Sequence, residues 1–259
     1  MGLKRKRGPI LSIPDVKSQK DKERRYREQD LPFGVYTLQA KTKWWNEIEL
    51  QNVVRQLDLV DGGRLLDLGS SDGRLLEYVH KRFPRCRLYG IDFAMNPLKV
   101  LTEKPFPSFP VCGDVCELPY KSESFDGAVS IQVIQHLASR EERIRCLKDI
   151  CRSLKAKGHL VITVINQKKW SDLVKNGKEG LLGNNENLYV YLYDPEDLSQ
   201  DLSEAGFKNV KIVGINNLHR NYLKRIKGSG VWLDLFLTRY LRSVSLQKGS
   251  YLLARCTKQ

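Results

Sequence analysis

Long apolar runs are missing from this 259-residue chain. No stretch approaches the roughly 18–20 consecutive apolar residues that cross a bilayer. The opening Met1-Gly2-Leu3-Lys4-Arg5-Lys6-Arg7 never leads into the apolar core of a secretory leader. A soluble, cytoplasmic protein is the expectation. Cysteine is sparse as well: Cys86, Cys112, Cys116, Cys146, Cys151 and Cys256 contain no C-x-x-C pair. The C-x3-C at 112/116 has no partner pair and no histidine cluster nearby, so no metal is expected and the thiols read as buried and reduced. At 41% hydrophobic and 29% charged, the chain supports one sizeable α/β domain with room for an appendage.

Acidic residues are scarce where basic ones gather. Residues 1–30 carry ten Lys/Arg against five Asp/Glu, and residues 208–259 carry eleven against one. The stretch between is close to neutral, so the net charge of +14 sits at the two ends. Such clusters attract RNA phosphates or an anionic membrane surface, and otherwise remain solvated surface.

Residues 1–30 offer few large apolar side chains and read as a disordered basic tail or a frayed helix. From Lys41 to Leu57, Trp44, Trp45, Ile48, Val53 and Leu57 recur at near-helical spacing. Short apolar runs then alternate with helical patterns. Strands are expected at Arg64–Leu68, Arg87–Ile91, Pro110–Cys112, Gly127–Ile131 and Gly158–Val164, with helices at Gly73–Arg82, Pro97–Thr102 and Ser139–Leu154. Asp194-Pro195-Glu196-Asp197 reads as a capped helix start, followed by a strand at Val210–Ile215 and a last one at Tyr251–Arg255. This order predicts an α/β fold: a doubly wound, Rossmann-like, mostly parallel seven-stranded sheet with helices on both faces. The domain spans 31–259, with late insertions at about 166–193 and 216–248.

The sharpest pattern is Leu65-Leu66-Asp67-Leu68-Gly69-Ser70-Ser71-Asp72-Gly73, an apolar strand running through a glycine turn into a helix. Glycines allow the turn and close ligand approach, and the helix start offers free N–H groups to a carboxylate. Asp67 stands where a dinucleotide fold usually has an apolar residue, and the G-x-G-x-x-G spacing is absent. Asp92, ending Tyr89-Gly90-Ile91-Asp92 about 20 residues on, can accept both hydrogen bonds of a ribose diol. Gly113-Asp114-Val115 is placed to cover an adenine, and Ser124-Phe125-Asp126-Gly127 leads into Ala128-Val129-Ser130-Ile131-Gln132.

These motifs, together with Val133-Ile134-Gln135-His136-Leu137, resemble the class I S-adenosylmethionine-dependent methyltransferase superfamily (methyltransferase domain type 11/25-like) over roughly residues 60–215. The resemblance implies S-adenosyl-L-methionine as cofactor. It implies Asp67, Gly69 and Gly73 around the methionine moiety, Asp92 on the ribose, and Asp114 with the Val115 backbone at the adenine, with Ser70, Phe93, Ser130 and Gln132 as further cofactor-binding residues. The sequence departs from the family at Ser71, where the middle loop glycine is usual, and at Leu154-Lys155-Ala156-Lys157-Gly158, where an L-x-P-G-G turn is usual. A serine fits the loop where its dihedrals are ordinary.

Methyl transfer from a sulfonium relies on positioning, and a base is needed only for a protonated, weakly acidic acceptor. His136 is the weak catalytic candidate; His159 and His219 have less support. No Asn/Asp-Pro-Pro-Tyr segment and no Pro-Cys nucleophile follows the fourth strand, which argues against exocyclic base amines and cytosine C5 as acceptors. A small-molecule or lipid-like acceptor is the leading expectation, with Trp170, Tyr189, Tyr191, Tyr193, Trp232 and Phe236 as candidate pocket walls. The alternatives are an RNA methyltransferase, since residues 124–154 resemble tRNA wobble-uridine carboxymethyl methyltransferases, and a non-catalytic donor-binding subunit.

Overall fold

A computed structural model describes residues 16–29, 43–174, 176–181, 188–218 and 228–259. Of the stretch expected to be a tail, residues 1–15 lie outside the described residues, whereas Val16–Gln29 forms helix α1. That segment holds no glycine or proline, and its Lys, Arg, Glu and Gln lose little rotamer freedom in a helix. What charge patterning could not show is that α1 packs against the domain, burying Gln19 and Glu23.

Helix α2 (Lys43–Arg55) precedes an alternation of β1 (Arg64–Leu68), α3 (Arg74–Arg82), β2 (Arg87–Asp92), α4 (Met95–Thr102), β3 (Ser108–Cys112), β4 (Phe125–Ile131), α5 (Arg140–Ser153) and β5 (Leu154–Ile165). After β5 come α6 (Gln167–Trp170) and a small antiparallel hairpin, β6 (Glu179–Leu181) with β7 (Tyr189–Tyr191). Helix α7 (Pro195–Glu204), β8 (Phe207–Ile215), α8 (Gly228–Tyr240), α9 (Arg242–Lys248) and β9 (Tyr251–Lys258) complete the order.

Seven strands form one sheet in the order β3-β2-β1-β4-β5-β9-β8. The first five are parallel, and β9 runs antiparallel between β5 and β8. Strand order reverses between β1 and β4, which opens a crevice at their carboxyl ends, the usual ligand position of such sheets. The pleat sends alternate side chains to opposite faces. In β1, Leu66 and Leu68 join one core with Cys146, Leu147 and Ile150 of α5 and Leu198 and Leu202 of α7. Leu65 joins the other, with Val53 and Val54 of α2, Leu75, Leu76 and Val79 of α3, and Leu98 and Leu101 of α4.

The helix starts follow their capping chemistry. Ser139 Oγ accepts from Glu142 N at 3.1 Å and Asp194 Oδ1 from Asp197 N at 2.9 Å, each satisfying an orphan donor of the first turn. Where a turn was expected at Leu154–Gly158, β5 instead begins at Leu154. It passes through a register shift, with Lys157 at φ 62°. Between the pairs Phe125↔Leu154 and Gly127↔His159, β5 takes five steps against two on β4, and this irregularity is accommodated with neither proline nor a glycine pair.

The 216–248 insertion leaves the end of β8 and returns at the start of β9, so α8 and α9 belong to the same sheet edge as the crevice. Residues 219–227, with His219, lie outside the described residues. Helix α9 lies directly on β8: a Cβ at Gly214 would stand 1.7 Å from the Ser245 carbonyl oxygen. Gly214→Ala should therefore destabilise the fold by about 2 kcal/mol through overpacking against backbone. Thermal unfolding should show a Tm loss of roughly 4–8 °C, and an unchanged Tm would mean α9 does not hold this position.

Candidate functional site

The loop after β1 is built by backbone geometry. Gly69 and Gly73 adopt φ of 71° and 75°, the left-handed region closed to most side chains. A Cβ at either would meet Val133 Cγ2 at 2.4 Å or Leu101 Cδ1 at 2.3 Å. Ser71 lies there too, at φ 48°, so the condition of ordinary dihedrals fails. A serine in place of the usual glycine costs about 1 kcal/mol of backbone strain. Its amide offsets this by donating to Asp92 Oδ2 at 2.9 Å. Gly69 N and Ser70 N both donate to Ile91 O, at 2.8 and 3.1 Å, which ties the loop to the end of β2. Helix α3 then starts at Arg74 with Gly73 as its cap and no side-chain oxygen over its first turn, so that turn can receive an anion.

Three carboxylates converge beside this loop. Asp67 and Asp92 are only 3% and 7% exposed, and Asp72 is buried as well. Burial raises the Asp67 carboxyl well above its ordinary range; Arg74 opposes this, while Asp92 and Asp72 add to it. Burial also raises Asp92, partly countered by the amides of Ala94 and Ser71. Asp92 Oδ1 accepts from Ala94 N at 2.9 Å, so both oxygens are oriented by backbone. Asp67 and Asp92, buried carboxyls that resist ionisation, suit a cationic ligand, and the donor's ammonium and sulfonium supply that charge. Among the described residues, Ser70 Oγ and Ser130 Oγ are buried without hydrogen-bond partners, a further sign of room for polar ligand atoms. The arrangement fits the implied cofactor.

Other anticipated residues have partners within the chain. Asp114 accepts from Cys116 N at 2.8 Å and from Lys20 Nζ of α1 at 2.7 Å. Although burial works the other way, Lys20 holds Asp114 below the usual carboxylate range. Val115 is buried in the core, and Phe93 is half-buried, its carbonyl 3.8 Å from Cys112 Sγ. Gln132, at φ 55°, donates to Glu49 Oε1 at 2.8 Å. Asp126 serves the opposite edge, where it accepts from Arg64 N at 2.8 Å and pairs with Lys155 at 2.6 Å.

Two contributions escaped sequence reasoning. Glu49 of α2 is buried, accepts from Gln132 and Thr163, and has Arg74 3.6 Å away, so it joins α2, α3, β4 and β5. Its only sequence signal is a carboxylate in the middle of an apolar helical pattern. Helix α1 is the second. Lys20 bridges Asp114 and Glu142, and Glu28 accepts from Met95 N and Asn96 N at 2.6 and 3.0 Å, capping α4 from outside. Glu23 and Arg27 lie near enough to influence both Asp92 and His136.

His136 ends a short 3-10 turn, Ile134–His136. Its Nδ1 lies 2.7 Å from Tyr189 O and therefore carries the proton, while Nε2 faces the Gln135 amide at 3.4 Å. Burial lowers its pKa, so the ring is neutral near pH 7. His159 Nε2 accepts from Asp58 N at 3.2 Å and is structural. Among the described residues no group of three or more His, Cys, Asp or Glu could hold a metal ion. The six candidate wall aromatics have different surroundings, with Tyr189 buried and its hydroxyl on Glu179. Tyr193 is fully buried and donates to Asp201, Tyr191 donates to Asp197 beneath the Arg143 guanidinium, and Trp170 Nε1 is committed to Ser250 O. Trp232 and Phe236 face solvent at 71% and 52% exposure.

Residues 66–162 match the methyltransferase domain family. The tRNA (carboxymethyluridine(34)-5-O)-methyltransferase of Arabidopsis thaliana is 28% identical over 156 residues, 59% of this chain and 36% of that protein. The ubiquinone/menaquinone biosynthesis C-methyltransferase of Syntrophotalea carbinolica is 29% identical over 118 residues, 44% of this chain and 48% of its own. The chain thus spans less than half the length of either relative. A solved S-adenosylmethionine-dependent methyltransferase of Thermotoga maritima, described as a possible histamine N-methyltransferase, superposes with a TM-score of 0.64 at 19% identity, covering 93% of this chain and all of its own.

The raised carboxyls have a measurable signature. Each favours the protonated form in the fold, so its contribution to stability is present at low pH and lost as pH rises through the raised value. Asp67→Asn removes one such titration and should raise Tm by several degrees near pH 8, with the gain shrinking toward about pH 4. A pH-independent effect in thermal unfolding would contradict the assignment. A loop that keeps costly carboxylates where a cationic donor would neutralise them, at the switch point of this sheet, agrees with the match of residues 66–162 to the methyltransferase domain family, and the chain has the class I methyltransferase fold.

Proposed function

We propose that the chain transfers a methyl group from S-adenosylmethionine to an anionic oxygen of an RNA nucleotide, in the manner of tRNA wobble-uridine carboxymethyl methyltransferases. The donor half of this reading is carried by Asp92, whose two oxygens are fixed by the Ser71 and Ala94 amides at the crevice. The bound donor supplies a methyl group activated on a positive sulfur. Asp67, Gly69, Ser70 and Gly73 would hold its methionine end and Asp92 its ribose. Asp114 and Val115 would meet its adenine, with Lys20 giving way at Asp114.

Three observations support the acceptor half. The likeness to the Arabidopsis tRNA enzyme covers 59% of the chain, beyond residues 66–162. A carboxylate acceptor is already ionised near neutral pH, so it needs orientation rather than a base. His136, neutral and pinned by Tyr189 O, suits orientation. The excess of Lys and Arg in residues 1–30 suits a phosphate backbone. A small-molecule or lipid-like acceptor is the second reading, favoured by the likeness to the quinone-pathway enzyme. Of its candidate walls, Trp232 and Phe236 face solvent and Tyr193 is committed to Asp201.

Purified protein with methyl-labelled donor, offered total tRNA in one reaction and a lipid-plus-metabolite extract in another, tests this. Label entering tRNA is expected. Label confined to the extract selects the second reading, and donor binding with no label in either indicates a non-catalytic subunit. Asp92→Ala removes two charge-assisted bonds to the ribose and should weaken donor binding about 100-fold by calorimetry. An unchanged affinity would undo the donor site.

A further inference from the structure

Helix α8 is apolar on two faces. Inward, Val231 and Leu235 pack on Trp45 and Ile48 of α2. Beside them Asp234 is buried, accepting from Leu218 N at 2.9 Å and from the Asn217 side-chain amide at 3.2 Å. Outward, Trp232, Leu233, Phe236 and Tyr240 are exposed, and Leu241 and Val244 continue the surface into α9. Six of the nine exposed large hydrophobic residues among the described residues lie in this one stretch. Phe236 and Tyr240 pack ring to ring at 4.9 Å, so the patch is contiguous there.

Its electrostatics have one sign. Arg239 and Arg242 are exposed within the patch and Lys248 at its end, with the Arg239 guanidinium 5.5 Å from the Tyr240 ring centre. In sequence the nine residues before α8 add Arg220, Lys224, Arg225 and Lys227. Asp234 is the one acid in residues 208–259, and it is turned into the core.

We propose that the α8–α9 face docks on the surface of an anionic lipid bilayer, independently of which acceptor the crevice serves. Trp and Tyr favour the headgroup level, Leu and Phe the acyl boundary, and Arg and Lys the lipid phosphates. RNA uses only part of this set: bases stack on the aromatic rings, but Leu233, Leu241 and Val244 have no counterpart along a phosphate chain. A protein partner would have to match a wholly cationic rim. Because α8 and α9 share the sheet edge of the crevice, docking holds the mouth of the donor site close to the membrane plane.

The test is co-flotation of the full chain with vesicles of phosphatidylcholine alone, or of phosphatidylcholine with about one third phosphatidylglycerol. Donor titration and tRNA binding are measured in parallel. The chain should float with the anionic vesicles and far less with the neutral ones. Trp232→Ser with Phe236→Ser should lower vesicle binding at least about tenfold while leaving donor affinity unchanged, since both side chains face solvent. Failure to float with anionic vesicles overturns the proposal, as does flotation that the double variant leaves intact. If the variant loses tRNA binding and the chain ignores vesicles, the face is an RNA surface. If the variant only abolishes self-association, the face covers a second copy.

Discussion

The meeting of the β1 loop with the end of β2 governs the rest of the molecule. A single carbonyl, Ile91 O, takes the amides of Gly69 and Ser70, and the next residue, Asp92, takes the amide of Ser71 on its side chain. Three consecutive N–H groups are thereby committed to two consecutive residues of a neighbouring strand. A loop held this way must turn sharply, which is why Gly69, Ser71 and Gly73 all lie in the left-handed region. The turn in turn aims the open start of α3 toward the crevice, and it brings Asp67, Asp72 and Asp92 together at the cost of burying like charges side by side.

Much of this was readable before any coordinates. The donor motifs fall at strand ends because an apolar run followed by glycine can do little else in an alternating α/β chain, and β1, β2, β4 and β8 lie within a few residues of their expected ranges. Chemistry confined to short sequence windows was legible: the caps at Ser139 and Asp194, the glycine turn, the carboxylate after β2. Contacts between distant segments were not. Glu49 reaches Gln132 across 83 positions and Lys20 reaches Asp114 across 94, and no local pattern encodes such pairings. The aromatics of the late insertions were visible as residues, but their faces depend on how α8 and the β6–β7 hairpin settle on the sheet.

Local misreadings have physical causes of the same kind. Ser71 looked tolerable because serine is usually conformationally ordinary, whereas its conformation here is imposed by the Asp92 acceptor. The stretch Leu154–Gly158 looked like a turn lacking its usual Pro-Gly pair, yet β5 already begins at Leu154 and takes up the surplus residues in an irregularity with Lys157 in the left-handed region. Charge in α1 suggested solvation because ionic side chains rarely bury themselves; what seats the helix is pairing, with Lys20 between two carboxylates and Glu28 on two amides.

That seating has a temporal consequence. Every partner described here for Lys20 and Glu28 lies between Met95 and Glu142, more than sixty positions downstream. A ribosome delivers α1 well before it delivers β3 or α5, and domains assemble as their parts emerge. Helix α1 is therefore an early product with a late destination, without its anchoring partners until those later segments exist.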